Sequence, residues 1–497
     1  MSAIIAARGV SYELAHGREL FRDLSFSLDT GITVLVGPNG VGKTTLARLL
    51  AGALAPSRGA IERRGPVTFL PQREDPPDVA VASYLGADYG WTAQGERLLA
   101  GVPREAPCAQ LSGGQWMRVR LARALDAGFL ILDEPTNDLD AEGRAAVHRF
   151  LRAHTGGVLL ITHDRASVRL CTGVLELSNR GLARFGGVWE GYLEARQRER
   201  ESLQATLTRA RRARDDAGAA RAEGRARQEK RNRRGAVQAA RGGIPKIAAG
   251  LRKRRAEVTT GKGSAAAAAR LDDAVCEAHE AFAALKVDPV MYADLVDVTL
   301  PAQKLVAEAL GLNLWRGAWL YPRDLAFAWR GGVRVAVAGP NGCGKSTLLR
   351  ALMGEPLTQR GELRRGDLAT LYVDQRCGTL DPALSVLENA RRQSDVGDRE
   401  LRDGLARFLF ADARVFQRVA DLSGGERLRA ALACGFLATR RPELILLDEP
   451  TNNLDLENTI FLEGLIRAYR GALLVVSHDA AFLEGCGVDT TLALAAG

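Results

Sequence analysis

The sequence has no run approaching the roughly 18 consecutive apolar residues that a bilayer-spanning helix needs. Apolar stretches such as 157–162 and 472–477 are short and read as buried strands. The opening residues, MSAIIAARGVSYE, lack the basic start and long apolar core of a secretory signal. Cysteine is sparse: seven residues (108, 171, 276, 343, 377, 434 and 486), odd in number, scattered, and without a CxxC pair. Neither a disulfide framework nor a zinc site is indicated, and a cytoplasmic, reducing location is expected. Acidic residues are lacking in one place above all. Between 195 and 262 there are 21 Lys and Arg against 7 Asp and Glu, with no Trp and no Tyr. That block nets +14 in a chain that nets +9, so the remainder nets about −5.

What is present is a duplication. A chain of 497 residues, 46 % of them apolar, has material for two to four domains with ordinary cores. Residues 31–36 (GITVLV) read as a buried strand. They run into Gly37-Pro38-Asn39-Gly40-Val41-Gly42-Lys43-Thr44-Thr45, after which apolar residues recur at helical spacing (Leu46, Leu49, Leu50). Strand, Gly-rich loop and helix in this order form a phosphate-binding loop. Backbone N–H groups and the helix N-terminus face the phosphates, Lys43 reaches the β/γ-phosphates, and the Thr44 hydroxyl holds Mg²⁺. Ser112-Gly113-Gly114 opens a second helix and suits another anion-binding surface. The apolar strand 129–133 ends in Asp133 and Glu134. Asp133 is placed to support Mg²⁺, and Glu134 is a general base for the attacking water. His163, just past a further strand, is a γ-phosphate contact.

The set recurs in the second half as Gly339-Pro340-Asn341-Gly342-Cys343-Gly344-Lys345-Ser346-Thr347, Gln375, Ser423-Gly424-Gly425, Asp448, Glu449 and His478. The offset grows from 302 at the lysines to 311 at the signature serines and 315 at the histidines, which places insertions between rigid catalytic parts. Repeats of this length are duplicated domains rather than a solenoid. The second signature ends in Glu426 where the first has Gln115. Cys343 reads as an incidental small residue in its loop, with sensitivity to oxidation the alternative.

These motifs resemble an ATP-binding cassette (ABC) ATPase. The resemblance makes Gln72 and Gln375 the Q-loop residues, touching Mg²⁺ and the attacking water, and makes 137–140 and 452–455 the D-loops. It implies two tandem α/β P-loop domains closing head-to-tail, Lys43 with Ser423 and Lys345 with Ser112, so that one chain completes both ATP sites as a monomer. Tyr12 is a candidate adenine-stacking aromatic beside ordinary core packing; in the second cassette the candidates are Trp315 and Trp319.

Between the cassettes, Leu203, Leu207, Ala210, Ala213, Ala217 and Ala220 recur at three- and four-residue steps, and Leu271, Val275, Ala278, Phe282 and Leu285 repeat the pattern. This predicts an α-helical hairpin turning near Gly242–Pro245, with kinks at Gly218, Gly224 and Gly235. About 40 residues of helix would project roughly 60 Å. Arginines crowd both sides of the turn (225–234 and 252–255), a density that calls for an anionic partner such as RNA. Two cassettes, no membrane span and a basic linker together resemble the ABC-F proteins over essentially the whole chain. The resemblance implies domains at 1–187, 188–287 (linker) and 288–497. It implies binding to the ribosomal E site with ATP, and a linker reaching toward the P-site tRNA and the peptidyl-transferase centre. Translation factors and antibiotic-resistance factors both belong there. With 38 residues between Gln72 and Leu111, the first cassette has no room for the arm insertion of some members. The alternatives are the tandem ATPase of a membrane transporter, which needs no basic rod, and a DNA-repair ATPase, which would want zinc cysteines or longer coiled coils.

Overall fold

A computed structural model describes residues 4–14, 17–86, 92–137, 139–178, 181–187, 189–240, 298–374, 377–452 and 454–495, with 268, 269, 273, 275 and 276. The chain divides into two compact units, Met1–Glu190 with Pro289–Gly497, and Gly191–Asp288. Both cassettes therefore belong to one unit.

In the first cassette the strands are β1 (Ile5–Glu13), β2 (Glu19–Leu28), β3 (Gly31–Val36), β4 (Arg58–Arg63), β5 (Val67–Leu70), β6 (Phe129–Asp133), β7 (Gly157–Ile161), β8 (Gly173–Ser178) and β9 (Gly181–Gly186). Strands β2-β1-β4 form an antiparallel sheet, and β5-β6-β7-β3-β8-β9 a second sheet, parallel except for β9. Every residue of β6 and β7 is buried, as expected for parallel strands covered on both faces, which read as unbroken apolar runs. The helix Lys43–Ala51 places Leu46, Leu49 and Leu50 in the core between the sheets, fully buried. Truncating one of them to alanine would cost about 2–5 kcal/mol.

The second cassette repeats the plan with β10 (Leu305–Leu314), β11 (Leu325–Arg330), β12 (Arg334–Ala338), β13 (Gln359–Arg365), β14 (Thr370–Val373), β15 (Leu444–Asp448), β16 (Ala472–Val476) and β17 (Thr490–Ala493). Its sheets run β11-β10-β13 and β14-β15-β16-β12-β17. Register decides where the chemistry lies. Asp133 sits beside Ile161 and Leu35 beside Ile161, so β6, β7 and β3 end together. Asp448 sits beside Val476 in the same way. The phosphate loop, the carboxylate pair and the histidine therefore emerge at one edge of each sheet, the carboxyl ends of the strands where α/β folds bind ligands.

Trp189–Ala240, which lies in the other unit from Gly191 onward, is one 52-residue helix, about 78 Å at 1.5 Å per residue, longer than the sequence pattern suggested. It continues through Gly218, Gly224 and Gly235. Each glycine costs about 1 kcal/mol of helix propensity, an amount the surrounding Ala and Arg and i,i+4 pairs such as Arg198–Glu194 (3.3 Å) offset. The turn expected at Gly242–Pro245, the basic run 252–255 and nearly all of the return arm lie outside the described residues. Positions 268, 269, 273, 275 and 276 are helical.

Candidate functional site

Lys43 begins its helix directly after the phosphate loop. Its ammonium donates to the carbonyl oxygens of Gly37 (2.7 Å) and Pro38 (3.3 Å) and to Asn39 Oδ1 (3.3 Å). Lys345 repeats these contacts with Gly339 (2.8 Å), Pro340 (3.1 Å) and Asn341 (3.5 Å), and also lies 3.2 Å from His478 Nε2. The loops can close this tightly because Gly37 and Gly339 hold positive φ, 151° and 157°. A Cβ there would stand 2.2 Å from the Leu177 carbonyl oxygen or 2.5 Å from that of Leu494. Cys343 packs beneath the second loop with its thiol buried and its pKa raised by burial, which favours the incidental small residue over an oxidation-sensitive one.

The Thr44 hydroxyl donates to Asp133 Oδ2 at 2.7 Å. One residue on, Glu134 and its twin Glu449 both adopt φ of 48°, a left-handed conformation that non-glycine residues avoid. Each precedes a proline, which disfavours the right-handed helical region. Each backbone N–H donates to the neighbouring strand, Glu134 to Ile161 (2.8 Å) and Glu449 to Val476 (2.9 Å). The strain brings Glu134 Oε1 to 3.5 Å from His163 Nε2, and Glu449 Oε1 to 3.4 Å from His478 Nε2. Burial pushes Glu134 up to about 8 against the pull of Lys43, and Glu449 up to about 7 against Lys345 and Arg144. Burial and the nearby lysine push His163 down to about 3 and His478 down to about 4. These are contacts between neutral imidazoles and carboxyl groups rather than ion pairs. A buried carboxyl titrating near neutrality suits a general base.

The signature serines cap helices. Ser112 Oγ accepts from Gln115 N (3.2 Å), and Gln115 Oε1 accepts from Ser112 N (3.0 Å). Ser423 and Glu426 make the same box (3.4 and 2.9 Å). Gln and Glu do the same work here, which accounts for the sequence difference between the signatures.

A cavity of about 430 Å³ is lined by Asn39, Gly40, Gly42, Lys43, Thr44, Thr45, Gln72, Asp133, Glu134 and His163. The structure thus brings together every predicted polar group of the first site except the signature. A second cavity, about 410 Å³, joins Asn39 and Gln72 to Gly424 and Arg427 of the other cassette. Asp455 at the second D-loop caps its own helix through Oδ1 and accepts from Asn39 N through Oδ2 at 3.3 Å. Gln375 lies outside the described residues.

The aromatic candidates fare differently. Tyr12 packs on the first core, and the cavity is lined instead by Leu14 and Leu20. Sequence reasoning sought an aromatic ring and passed over these leucines. Trp315 and Trp319 are exposed and stack edge-to-face at 5.2 Å, with Arg360 4.9 Å above Trp319.

The residues fit a nucleotide with Mg²⁺. Both ring nitrogens of His163, Asn137 Nδ2 and Glu449 Oε2 are buried without a hydrogen-bond partner among the described residues, at the positions a phosphate and its water would meet. A hydroxyl, a carboxylate and an amide are the hard oxygen donors Mg²⁺ uses beside phosphates and water. Among the described residues no cluster of three His, Cys, Asp or Glu is arranged for a transition metal.

The ABC transporter family profile matches residues 21–137 and 322–452. Over 97 % of its length the chain is 30 % identical to "Ribosome protection protein VmlR" of Bacillus subtilis (strain 168), covering 85 % of that protein. Over 90 % of its length it is 32 % identical to "Tylosin resistance ATP-binding protein TlrC" of Streptomyces fradiae, covering 89 % of it. The chain belongs to the ABC-F family. Its two ABC-F cassettes are ATP-binding ATPase domains, and their fold matches the solved "RNase-L Inhibitor" with a TM-score of 0.57 at 19 % identity, over 98 % of this chain and 87 % of that one. Among the described residues no helix is long and apolar enough to cross a membrane.

Proposed function

We propose that this protein is a cytoplasmic, monomeric ATPase of translation that enters the ribosomal E site with ATP bound and acts on the P-site tRNA and peptidyl-transferase region through its basic linker. The observation that carries the reading is a pair of cassettes in one chain, with a basic helix of 52 residues between them. Relatives named for ribosome protection and for tylosin resistance support it. A general translation role and protection against an antibiotic remain two forms of the same proposal, as do the domain limits 1–187, 188–287 and 288–497.

Two composite sites hydrolyse ATP in this account. Bound ATP supplies the phosphoanhydride that is cleaved, with Mg²⁺ held by Thr44, Gln72 and Asp133 in one site and by Ser346, Gln375 and Asp448 in the other. Lys43 and Lys345 turn from loop carbonyls to the phosphates. Glu134 and Glu449 take the proton of the attacking water, and His163 and His478 orient it beside the γ-phosphate. Ser423, Gly424 and Gly425 close the first site, a pairing supported by the cavity that Gly424 shares with Asn39. Ser112, Gly113 and Gly114 close the second by the equivalence of the repeats.

The test is sedimentation of the Glu134→Gln, Glu449→Gln protein with ATP. Co-migration with ribosomes, lost on raising salt, is expected. Migration with membranes, or no ATP-dependent partner in a lysate, would overturn the proposal.

A further inference from the structure

The helix Leu456–Ala468 of the second cassette touches the first ATP site at two places. Its N-cap, Asp455, accepts from Asn39 N of the first phosphate loop at 3.3 Å. Eight residues further on, about 12 Å along the helix axis, Glu463 meets Arg165, the second residue after His163. Arg165 Nη2 donates to Glu463 Oε2 at 3.0 Å and Nη1 lies 2.9 Å from Oε1, so the planar guanidinium faces both carboxylate oxygens. The side chains are 19 % and 15 % exposed, which shields the pair from most of the screening that weakens surface ion pairs.

Each partner is held from its own cassette. Arg165 opens the helix Arg165–Val168, which Asp164 caps by accepting from Ser167 N at 3.1 Å, while Asp164 N donates to Thr162 Oγ1 at 3.0 Å. His163 lies inside that bracket, so its backbone moves with Arg165. Glu463 backs onto Gly485, seven residues beyond His478, where a Cβ would stand 2.8 Å from its carboxyl carbon. The carboxylate is thus presented from a packed surface. The equivalent positions for the second site cannot form this pair. From the D-loops to the histidines the repeats align at a constant offset of 315, which places His148 at the position of Glu463 and Ala480 at that of Arg165. His148 Nε2 lies 2.9 Å from both Asp164 Oδ2 and Ser167 Oγ of its own cassette, and Ala480 is exposed and uncharged.

We infer that Arg165 is a positioning residue for hydrolysis at the first site: through Glu463 it ties the His163 segment to the same helix that contacts the phosphate loop, and so holds histidine and loop in register. The inference rests on the proposed roles of His163, Glu134 and Glu449. Loss of the pair leaves the Asp455 contact in place and frees the His163 segment from the helix. A displacement of that kind lowers the rate of cleavage more than the affinity for ATP.

The test measures single-turnover ATP cleavage by the full chain, so that cassettes held closed do not mask the chemistry. Glu449→Gln confines cleavage to the first site and Glu134→Gln to the second. Arg165→Ala should slow cleavage about ten-fold in the Glu449→Gln background, with the half-saturating ATP concentration within about two-fold, and should leave the Glu134→Gln background within about two-fold. Glu463→Ala should do the same, the double variant should lose no more than either alone, and Arg165→Lys should recover part of the rate. Equal loss in both backgrounds would make the pair a structural brace and overturn the inference, as would no loss in either, or additive losses in the double variant. Arg165→Met, which keeps the apolar stem without the charge, gives the same reading if the alanine variant does not fold. If the glutamine variants themselves cleave ATP at the unsubstituted rate, the assignment of the glutamates fails instead. Lys43→Ala and Lys345→Ala then silence the sites singly through phosphate binding, and the same comparison decides the role of Arg165.

Discussion

The lysine contacts within the two phosphate loops agree to about 0.2 Å, 2.7, 3.3 and 3.3 Å against 2.8, 3.1 and 3.5 Å, whereas the contacts that brace the surrounding elements differ. In the first, the Q-loop is tied to the signature helix by charge. Arg120, 2 % exposed on that helix, lies with Nε 2.8 Å from Glu74 Oε2 and donates from Nη2 to the Pro71 carbonyl at 2.7 Å. In the second, the corresponding residues are Ala431 and Cys377, both buried, and they cannot form this ion pair. The contacts between the cassettes are equally one-sided. Arg165 reaches Glu463 through one hydrogen bond of 3.0 Å and a charge contact of 2.9 Å. At the equivalent positions stand Ala480 and His148, which cannot form the pair. Duplication kept the groups that handle ATP and let their supports drift apart.

The difference is sharpest at the Q-loop. Arg120→Ala leaves Glu74 and the Pro71 carbonyl without their cation, and should destabilise the first cassette by about 3 kcal/mol. Cys377→Ala should cost about 1 kcal/mol, the loss of one small buried group. Urea titrations of the two variants, followed by near-ultraviolet circular dichroism, compare them directly. Equal costs would mean that the charged brace adds nothing to packing.

The contact between cassettes comes next. A double-mutant cycle over Arg165→Ala and Glu463→Ala should give a coupling of about 1–2 kcal/mol, since both side chains are mostly buried. The same cycle over Ala480→Ser and His148→Ala, at the equivalent positions of the other face, should give a coupling near zero. Equal couplings on the two faces would show that the asymmetry of the contact carries no energy.

A smaller effect distinguishes the glutamates by pH. Glu134 rises from 4.5 to about 8 and Glu449 to about 7. A carboxyl whose pKa is raised on folding keeps a proton that the unfolded chain has released. Its contribution to stability is whole below 4.5 and is lost as pH rises through the folded value. Glu134→Gln should therefore flatten the fall in stability up to about pH 8, and Glu449→Gln only up to about pH 7. Melting temperatures at about pH 6, 7 and 8 check this, and identical profiles for the two variants would remove the distinction. The smallest effect concerns the cavity mouth. Leu20→Ala should weaken ATP binding at the first site about three-fold, from lost apolar contact, while Tyr12→Leu should leave it unchanged. Fluorescent-nucleotide titration of the Lys345→Ala protein reads the first site alone.

Much of this was legible beforehand. Lys43, Thr44, Asp133, Glu134 and His163 could be found because each lies at a strand end in a contiguous motif whose chemistry admits few residue types. The strands 157–161 and 472–476 were visible as unbroken apolar runs. Arg165 and Glu463 were not visible, because they are ordinary surface-type residues separated by 298 positions and meet only after both cassettes fold. The helix Trp189–Ala240 outran its expected length because glycine penalties are local, whereas its i,i+4 charge pairs and alanine content act along the whole rod. Leu14 and Leu20 escaped because single aliphatic residues lining a cavity leave no pattern in a sequence.

Head-to-tail completion of the sites is the central claim, and signature substitutions in single-site backgrounds test it most directly. With Glu449→Gln confining turnover to the first site, Ser423→Glu should abolish ATP hydrolysis while Ser112→Glu spares it. Loss with Ser112→Glu and survival with Ser423→Glu would contradict the account, because each cassette would then be completing its own site.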